Sequence, residues 1–474
     1  MKTNATPTLK LGLAWRSAFL AGFLLAACSE PLPTPVELLP PPVSDDPPPP
    51  SRPHDTRTFF VPEGQPTLTA LEGATAYHGT YQGIQGEAGY RIEVPDNWNG
   101  VLVMYAHGFR GNGDELSVGT PGRLRTHLIA SGYAWAASSY SANYYDVRAG
   151  VEDTNALALA FEEFTQNRAR PTKYYIAGVS MGGHIAGAAV ERETLDTSLY
   201  RVRYAAALPM CGVMADNEFL NYGHAYHIAA SELAEMPVQS YPITDWDTRL
   251  PAIKEALWVD YDADLGVMTQ QGEKFRNLLM HLSGGPRPTF FFGFATLGHF
   301  SAAYQGPGDW GGILGGVSVN TTDIVYQLDE DTGMSPEEVA FNAAIFRVQG
   351  DFLTHNPRRS DGVRAMPLIE GRFDVPVISV HTLERGVPFL MEQIYAERAA
   401  ANGSSHWLVQ RVIRSPLHCD ITAEERIAAF DALVEWEENG VVPGGDDVLD
   451  PEVVADPQYG CGFTLVTRAG VAGC

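Results

Sequence analysis

Positive charge is scarce in this chain of 474 residues: 32 Lys plus Arg stand against 57 Asp plus Glu, a formal net charge of -25. No basic block interrupts the acidic excess, which argues against a nucleic-acid groove. Cysteine is also rare, with 5 in the chain and no pair at zinc-ligand spacing. The one apolar run near the N-terminus, Ser17 to Ala27, falls short of the ~20 residues a spanning helix needs. No internal repeat is present, so a solenoid or propeller is excluded. What remains is an ordinary globular mixture, 45% hydrophobic and 19% charged, ample for a large core and incompatible with collagen, coiled coil or wholesale disorder. At one domain per ~150 residues the length allows up to three.

The N-terminus carries Lys2, Lys10 and Arg16, with no acidic residue before Glu30. Followed by the short apolar run, this reads as a secretory signal. The run ends in Leu25-Ala26-Ala27-Cys28, which resembles the lipobox of bacterial lipoproteins. The resemblance implies cleavage before Cys28, lipidation of its thiol and acylation of the new amino group. Each buried methylene of such chains contributes ~0.8 kcal/mol, so a lipid bilayer is the implied partner. Ser29 at the next position implies the outer membrane or cell surface, in organisms that have one. Residues 28–60 then form a tether: eleven prolines fall between Pro31 and Pro53. Proline lacks an amide donor and holds its predecessor extended. At ~3.1 Å per residue a polyproline-type spacer of this length reaches roughly 70 Å.

With Cys28 set aside, Cys211, Cys419, Cys461 and Cys474 are an even number, as suits an oxidising compartment. Cys461 and Cys474 are expected to close a C-terminal loop, leaving Cys211 for Cys419. All three pairings remain open from sequence.

Strand and helix patterns alternate along the body. Tyr90–Val94, Gly100–Tyr105, Tyr133–Ser138, Lys173–Gly178, Tyr204–Pro209, Asp374–His381 and His406–Ile413 read as strands. Pro121–Ser131, Val151–Asn167, Met181–Glu193, Pro388–Asn402 and Thr422–Glu438 read as helices. This alternation predicts an α/β fold, a mostly parallel sheet with helices on both faces. It fails between Cys211 and Arg372, where short helical patterns (Ser231–Ala234, Leu250–Trp258, Ser335–Val348) and an aromatic section predict a mostly helical cap. The expected divisions are a signal at 1–27, the tether, a first core part at 61–211, the cap at 212–372, a second core part at 373–440 and a loop-like C-terminal extension at 441–474.

Gly178-Val179-Ser180-Met181-Gly182 fits G-x-S-x-G where a strand gives way to a helix. A sharp turn there needs small neighbours, lifts the serine hydroxyl above the sheet and backs it with a helix N-terminus. A serine hydroxyl is a poor nucleophile without a base. His418, after the last strand in Arg414-Ser415-Pro416-Leu417-His418-Cys419-Asp420, is placed to supply one, and a disulfide through Cys419 would stiffen its loop. Glu384, after the strand ending at His381, is the candidate acid that fixes the imidazole tautomer. Asp374 precedes that strand, and Asp420 lacks scaffolded geometry.

The order Ser180, Glu384, His418 on this strand pattern resembles the α/β-hydrolase superfamily over roughly residues 75–440. The family more often uses Asp as the acid, so Glu384-Arg385 departs from its usual loop. A His-Gly turn follows the third strand, here His107-Gly108-Phe109. By resemblance the amides of Phe109 and Met181 form an oxyanion hole, donors worth on the order of 3 kcal/mol each. His107 is expected to be a structural hydrogen-bonder and His184 a packing residue. Asp260, Asp262 and Asp264 are spaced for calcium, but Leu265 replaces the loop glycine and Gln271 stands where a glutamate is needed, so they read as a solvated loop. Phe290, Phe291, Phe292, Phe294, Phe300, Tyr304 and Trp310 read as the insertion's own core or as an acyl pocket.

The resemblance implies an exported serine esterase working through an acyl-enzyme, with no metal or organic cofactor and no obligate protein partner. Polyesters or aromatic esters are possible substrates. Two rival classes stay in view. Ser180-Met181-Gly182-Gly183 also resembles prolyl-oligopeptidase-like serine peptidases, which usually carry an N-terminal propeller that the segment before residue 75 has no room for. A non-catalytic surface binding protein on the same fold would be expected to have lost the nucleophile or the base.

Overall fold

In a computed structural model, which describes residues 57–166, 170–300, 308–331 and 333–474, eight strands form one sheet. They are β1 (Ala74–Gln82), β2 (Glu87–Pro95), β3 (Val101–Ala106), β4 (Ala134–Ser138), β5 (Lys173–Val179), β6 (Ala206–Met210), β7 (Val377–Thr382) and β8 (Leu408–Ile413). Their spatial order is β1-β2-β4-β3-β5-β6-β7-β8. β1 and β4 each pair antiparallel with β2, and every other pairing is parallel. That order, with right-handed helical crossovers expected between parallel strands, is the α/β-hydrolase fold. The signal, Cys28 and nearly all of the proline-rich tether lie outside the described residues.

The parallel strands read as continuous apolar runs because both faces are covered. Side chains alternate along β3: Val101, Val103 and Tyr105 enter one core with Phe430, Leu433 and Trp436 of the helix Ala423–Asn439. Leu102, Met104 and Ala106 enter the other, with Ile185 and Ala189 of the helix Met181–Val190. The Ala423–Asn439 helix starts at a capping box, Thr422 and Glu425 each satisfying the other's backbone N–H, and stops at Gly440 with φ 71°. Such a cap contributes ~1 kcal/mol, and the left-handed stop suits glycine. β1 is an edge strand of mixed polarity and only partial burial, and its sequence pattern did not single it out.

Between β6 and β7 the described residues hold helices at Glu218–Leu233, Trp246–Leu257, Gln270–Leu282, Phe290–Thr296, Pro336–Ala344 and Phe352–His355, and no strand. This is the mostly helical cap. Its apolar side chains (Phe219, Leu257, Phe275, Leu279) share one cluster with the sheet face that carries Leu102 and Met104. Three sequence readings shift. The helix expected at Val151–Asn167 begins at Val147 and breaks after Leu159, Ser231–Ala234 is the tail of a helix of sixteen residues, and the C-terminal extension holds a short helix, Pro451–Ala455.

Candidate active site

β5 ends at Val179 and a helix begins at Met181, so Ser180 makes the turn alone, at φ 57° and ψ -123°. A non-glycine residue held there costs roughly 1–3 kcal/mol. The turn is tight enough to dictate its neighbours. A Cβ at Gly178 would lie 2.0 Å from the Gly182 carbonyl oxygen, and one at Gly182 would lie 2.0 Å from the Ala106 oxygen. The glycines of the motif are therefore steric requirements of the crossing between β3, β5 and the helix. The Ser180 amide donates to the Met210 carbonyl at 2.9 Å, tying the turn to the end of β6.

Glu384 lies two residues past β7 and His418 five past β8. All three side chains therefore rise from the carboxyl edge of the sheet, where open α/β sheets place their sites. His418 Nε2 is 2.8 Å from Ser180 Oγ, and His418 Nδ1 is 2.6 Å from Glu384 Oε1. Glu384 is 2% exposed. Its Oε1 also accepts from the Thr382 hydroxyl at 3.3 Å, and its Oε2 accepts from the Val387 amide at 3.2 Å. Burial pulls the His418 pKa down, but the charge of Glu384 and its hydrogen bond outweigh burial and leave it above the usual histidine value. Asp374 stands before β7, at the opposite edge. Asp420 accepts from Ser415 Oγ at 2.7 Å and pairs with Arg468 at 3.2 Å.

Cys211, the residue after β6, is joined to Cys419, with Cα atoms 5.3 Å apart and a sequence separation of 208. Cys461 is joined to Cys474. Both expected disulfides are thus formed. The first fixes the residue beside His418 to a strand end whose own amide is bonded to Val380 at 2.7 Å. Cys211, His418 and Cys419 are also the one group of metal-ligand atoms that converges among the described residues. With the sulfurs bonded to each other, no thiolate is left to ligate.

The His107–Phe109 turn runs beside the serine: a Cβ at Gly108 would come 3.1 Å from Ser180 Cβ. Met181 is the first residue of its helix, where the N–H has no intrahelical acceptor. Phe109 is 46% exposed, with its ring 6.5 Å from Tyr145. His107 is buried, within hydrogen-bond reach of the Gly108 carbonyl (2.7 Å) and the Ser139 carbonyl (3.3 Å), and stacked on Tyr140 at 4.2 Å. Burial pushes its pKa down to about 4, so it is neutral at physiological pH. Burial does the same to His184, also to about 4. Asp260 and Asp264 accept from the amides of Ala263 and Gly266 in their own loop, and Asp262 faces Lys254 at 3.8 Å. The three carboxylates do not converge on a cation site.

Sequence reasoning missed how the cap holds the acid loop. Arg287 donates to the carbonyls of Leu383 (3.2 Å), Glu384 (3.1 Å) and Gly285 (2.8 Å), and to Ser283 Oγ (3.0 Å). Tyr222 OH donates to the Arg385 carbonyl at 2.7 Å. Three consecutive carbonyls around the acid are thus taken by side chains from the insertion. Nothing in the sequence around Arg287 marks it. The cap also meets the His418 loop, since a Cβ at Gly293 would lie 2.8 Å from Pro416 Cβ. Of the aromatic section, Phe290, Phe294 and Trp310 are buried, Phe291 and Phe292 reach the surface, and Tyr304 lies outside the described residues. A cavity of about 270 Å³ beside His418 is bounded by Phe219, Tyr226, His299, Phe300 and Arg385.

No protein-family profile matches the chain, and no curated protein does. Solved structures do. Among them are an acylaminoacyl peptidase of Pyrococcus horikoshii (10% identity, 80% of this chain and 44% of that one, TM-score 0.38) and feruloyl esterase B of Aspergillus oryzae (14%, 78% and 81%, TM-score 0.40). Tannin acyl hydrolase of Aspergillus niger is a third (13%, 79% and 85%, TM-score 0.38). The chain spans less than half the length of the acylaminoacyl peptidases it matches. Its strand order and strained turn make it an α/β-hydrolase fold, with serine, histidine and glutamate brought together on the carboxyl edge of the sheet.

Proposed function

We propose that this chain is a serine hydrolase that cleaves carboxylic esters through an acyl-enzyme. The observation that carries the reading is the relay of 2.8 Å from Ser180 to His418 and 2.6 Å from His418 to Glu384. Ser180 Oγ attacks the ester carbonyl while His418 Nε2 takes its proton. Glu384 holds Nδ1–H and stabilises the imidazolium. The amides of Phe109 and Met181 receive the oxyanion. His418 returns the proton to the leaving alcohol, and water repeats the steps to free the acid and Ser180.

The test is release of nitrophenol from short, medium and aromatic acyl esters, beside matched anilides and Ser180→Ala. Ester turnover in the parent with at least a 10³-fold loss in Ser180→Ala is expected, because a residual rate from the oxyanion site alone is small. Faster anilide than ester cleavage would shift the assignment to a peptidase, and no turnover of either to a binding protein.

The second part of the proposal is export as a lipoprotein through Cys28. Its support is the lipobox resemblance; the described residues hold no helix long and apolar enough to cross a membrane. Labelled palmitate should enter the parent and not Cys28→Ser. Equal labelling of both would refute the anchor.

A further inference from the structure

The acid loop contains an imbalance of buried charge. Arg287 and Arg385 are both buried there, and Glu384 is the carboxylate between them, already committed to His418. Arg385 is 8% exposed. Its Nη2 donates to the carbonyls of Leu297 (2.7 Å) and Gly298 (2.8 Å), while its buried Nε has no hydrogen-bond partner among the described residues. Among the described residues no carboxylate forms an ion pair with it; the nearest acid in sequence pairs with histidine. An arginine cannot shed its charge at neutral pH, and an uncompensated buried ion is costly.

Arg385 also lines the cavity beside His418, together with the rings of Phe219, Tyr226, Phe300 and His299, the Val387 side chain, and Gly298 and Gly386. Burial, and after it the charge of Arg385, hold His299 well below the ordinary histidine pKa. The His299 imidazole is therefore neutral, and Arg385 is the permanently charged cation among the described residues that line this space with His418. Apolar walls fix an apolar group, and a single guanidinium selects what that group must end in.

Resting on the ester-hydrolase reading, we infer that this cavity is a subsite for an arm of the substrate that ends in a carboxylate, with Arg385 as its specificity-determining residue. The arm is a ring or short chain lying against Phe219, Tyr226 and Phe300, and its carboxylate supplies a counter-charge that no described residue provides by an ion pair to Arg385. The carboxylate can belong to the acid or to the alcohol of the ester. Substrates are thus half-esters of dicarboxylic acids or esters of hydroxy acids.

Two matched pairs separate those sources: nitrophenyl hemiglutarate against nitrophenyl pentanoate, and 4-acetoxybenzoate against its methyl ester. In at least one pair kcat/KM should favour the anion tenfold or more, mainly through KM. Arg385→Gln should cut that ratio at least tenfold, and Arg385→Lys should give an intermediate ratio, because the charge stays but the planar fork is lost. Calorimetry with benzoate and benzamide reads the subsite without turnover: benzoate should bind the parent more tightly, and Arg385→Gln should erase the difference.

A ratio near one in both pairs with no benzoate preference overturns the subsite. So does an unchanged ratio in a folded Arg385→Gln protein. If Arg385→Gln fails to fold, the parent ratios and Arg385→Lys decide. Absence of all ester turnover would sink the hydrolase reading alone, since a benzoate preference lost in Arg385→Gln would still establish the site.

Discussion

Glu384 acts on His418 through a hydrogen bond and a charge, and the two can be read in a pH profile. Burial alone lowers the imidazole pKa, and the carboxylate reverses the sign. As general base, His418 must be neutral, so kcat/KM rises with pH as its proton leaves. In the parent the midpoint of that rise should lie above the usual ~6.5. Glu384→Gln leaves burial unopposed and should move the midpoint below it, with kcat down on the order of 10³–10⁴. A midpoint that does not move would show that Glu384 is not the partner of the base. At this scale much of the candidate site was legible. Ser180 was marked by a strand-to-helix glycine turn, and Glu384 and His418 by their order after later strands. Arg287 and Arg385 were not legible, because each gains meaning only from carbonyls and rings that lie far away in sequence.

The strand-to-helix turn and the loop after β8 are held by different devices. Steric exclusion fixes the turn. The loop after β8 leans on the Cys211–Cys419 bond and on contact with the Phe290–Thr296 helix. In the loop-closure view a crosslink spanning this much chain stabilises by at most about 5 kcal/mol, less whatever residual structure the unfolded chain keeps. Cys419→Ser should therefore lower Tm by several degrees and also lower kcat, because the residue beside His418 loses its anchor. An unchanged Tm with unchanged kcat in that variant would remove the disulfide from any role at the site. Element by element, the parallel strands were legible as unbroken apolar runs. Helix Glu218–Leu233 was largely missed because it is buried almost all round, which erases the polar face that makes a helical period visible. The edge strand β1 was missed for the opposite reason: its pattern is too polar.

On the scale of the whole molecule, the insertion is a layer of the main core. Leu257, Phe275 and Leu279 pack in the same cluster as Leu102 and Met104, and Arg287 and Tyr222 grip the acid loop. Heating should therefore unfold cap and sheet together, in one calorimetric transition whose van't Hoff and calorimetric enthalpies agree. Two transitions would show that the cap melts by itself. The sequence revealed where the alternation stops and resumes. It did not reveal that the interruption would be built into the core, because that depends on which faces meet.

The bond from Cys211 to Cys419 encloses every helix of the insertion, β7, the acid loop and β8 within one covalent ring. A protease that cuts this ring once, at any point, opens it without dividing the molecule: the part bearing Ser180 and the part bearing His418 stay on one body. A nicked sample should run as a single band without reductant and as two with it. Under the proposed lipid anchor at Cys28, a chain cut once through its cap still keeps the two residues together.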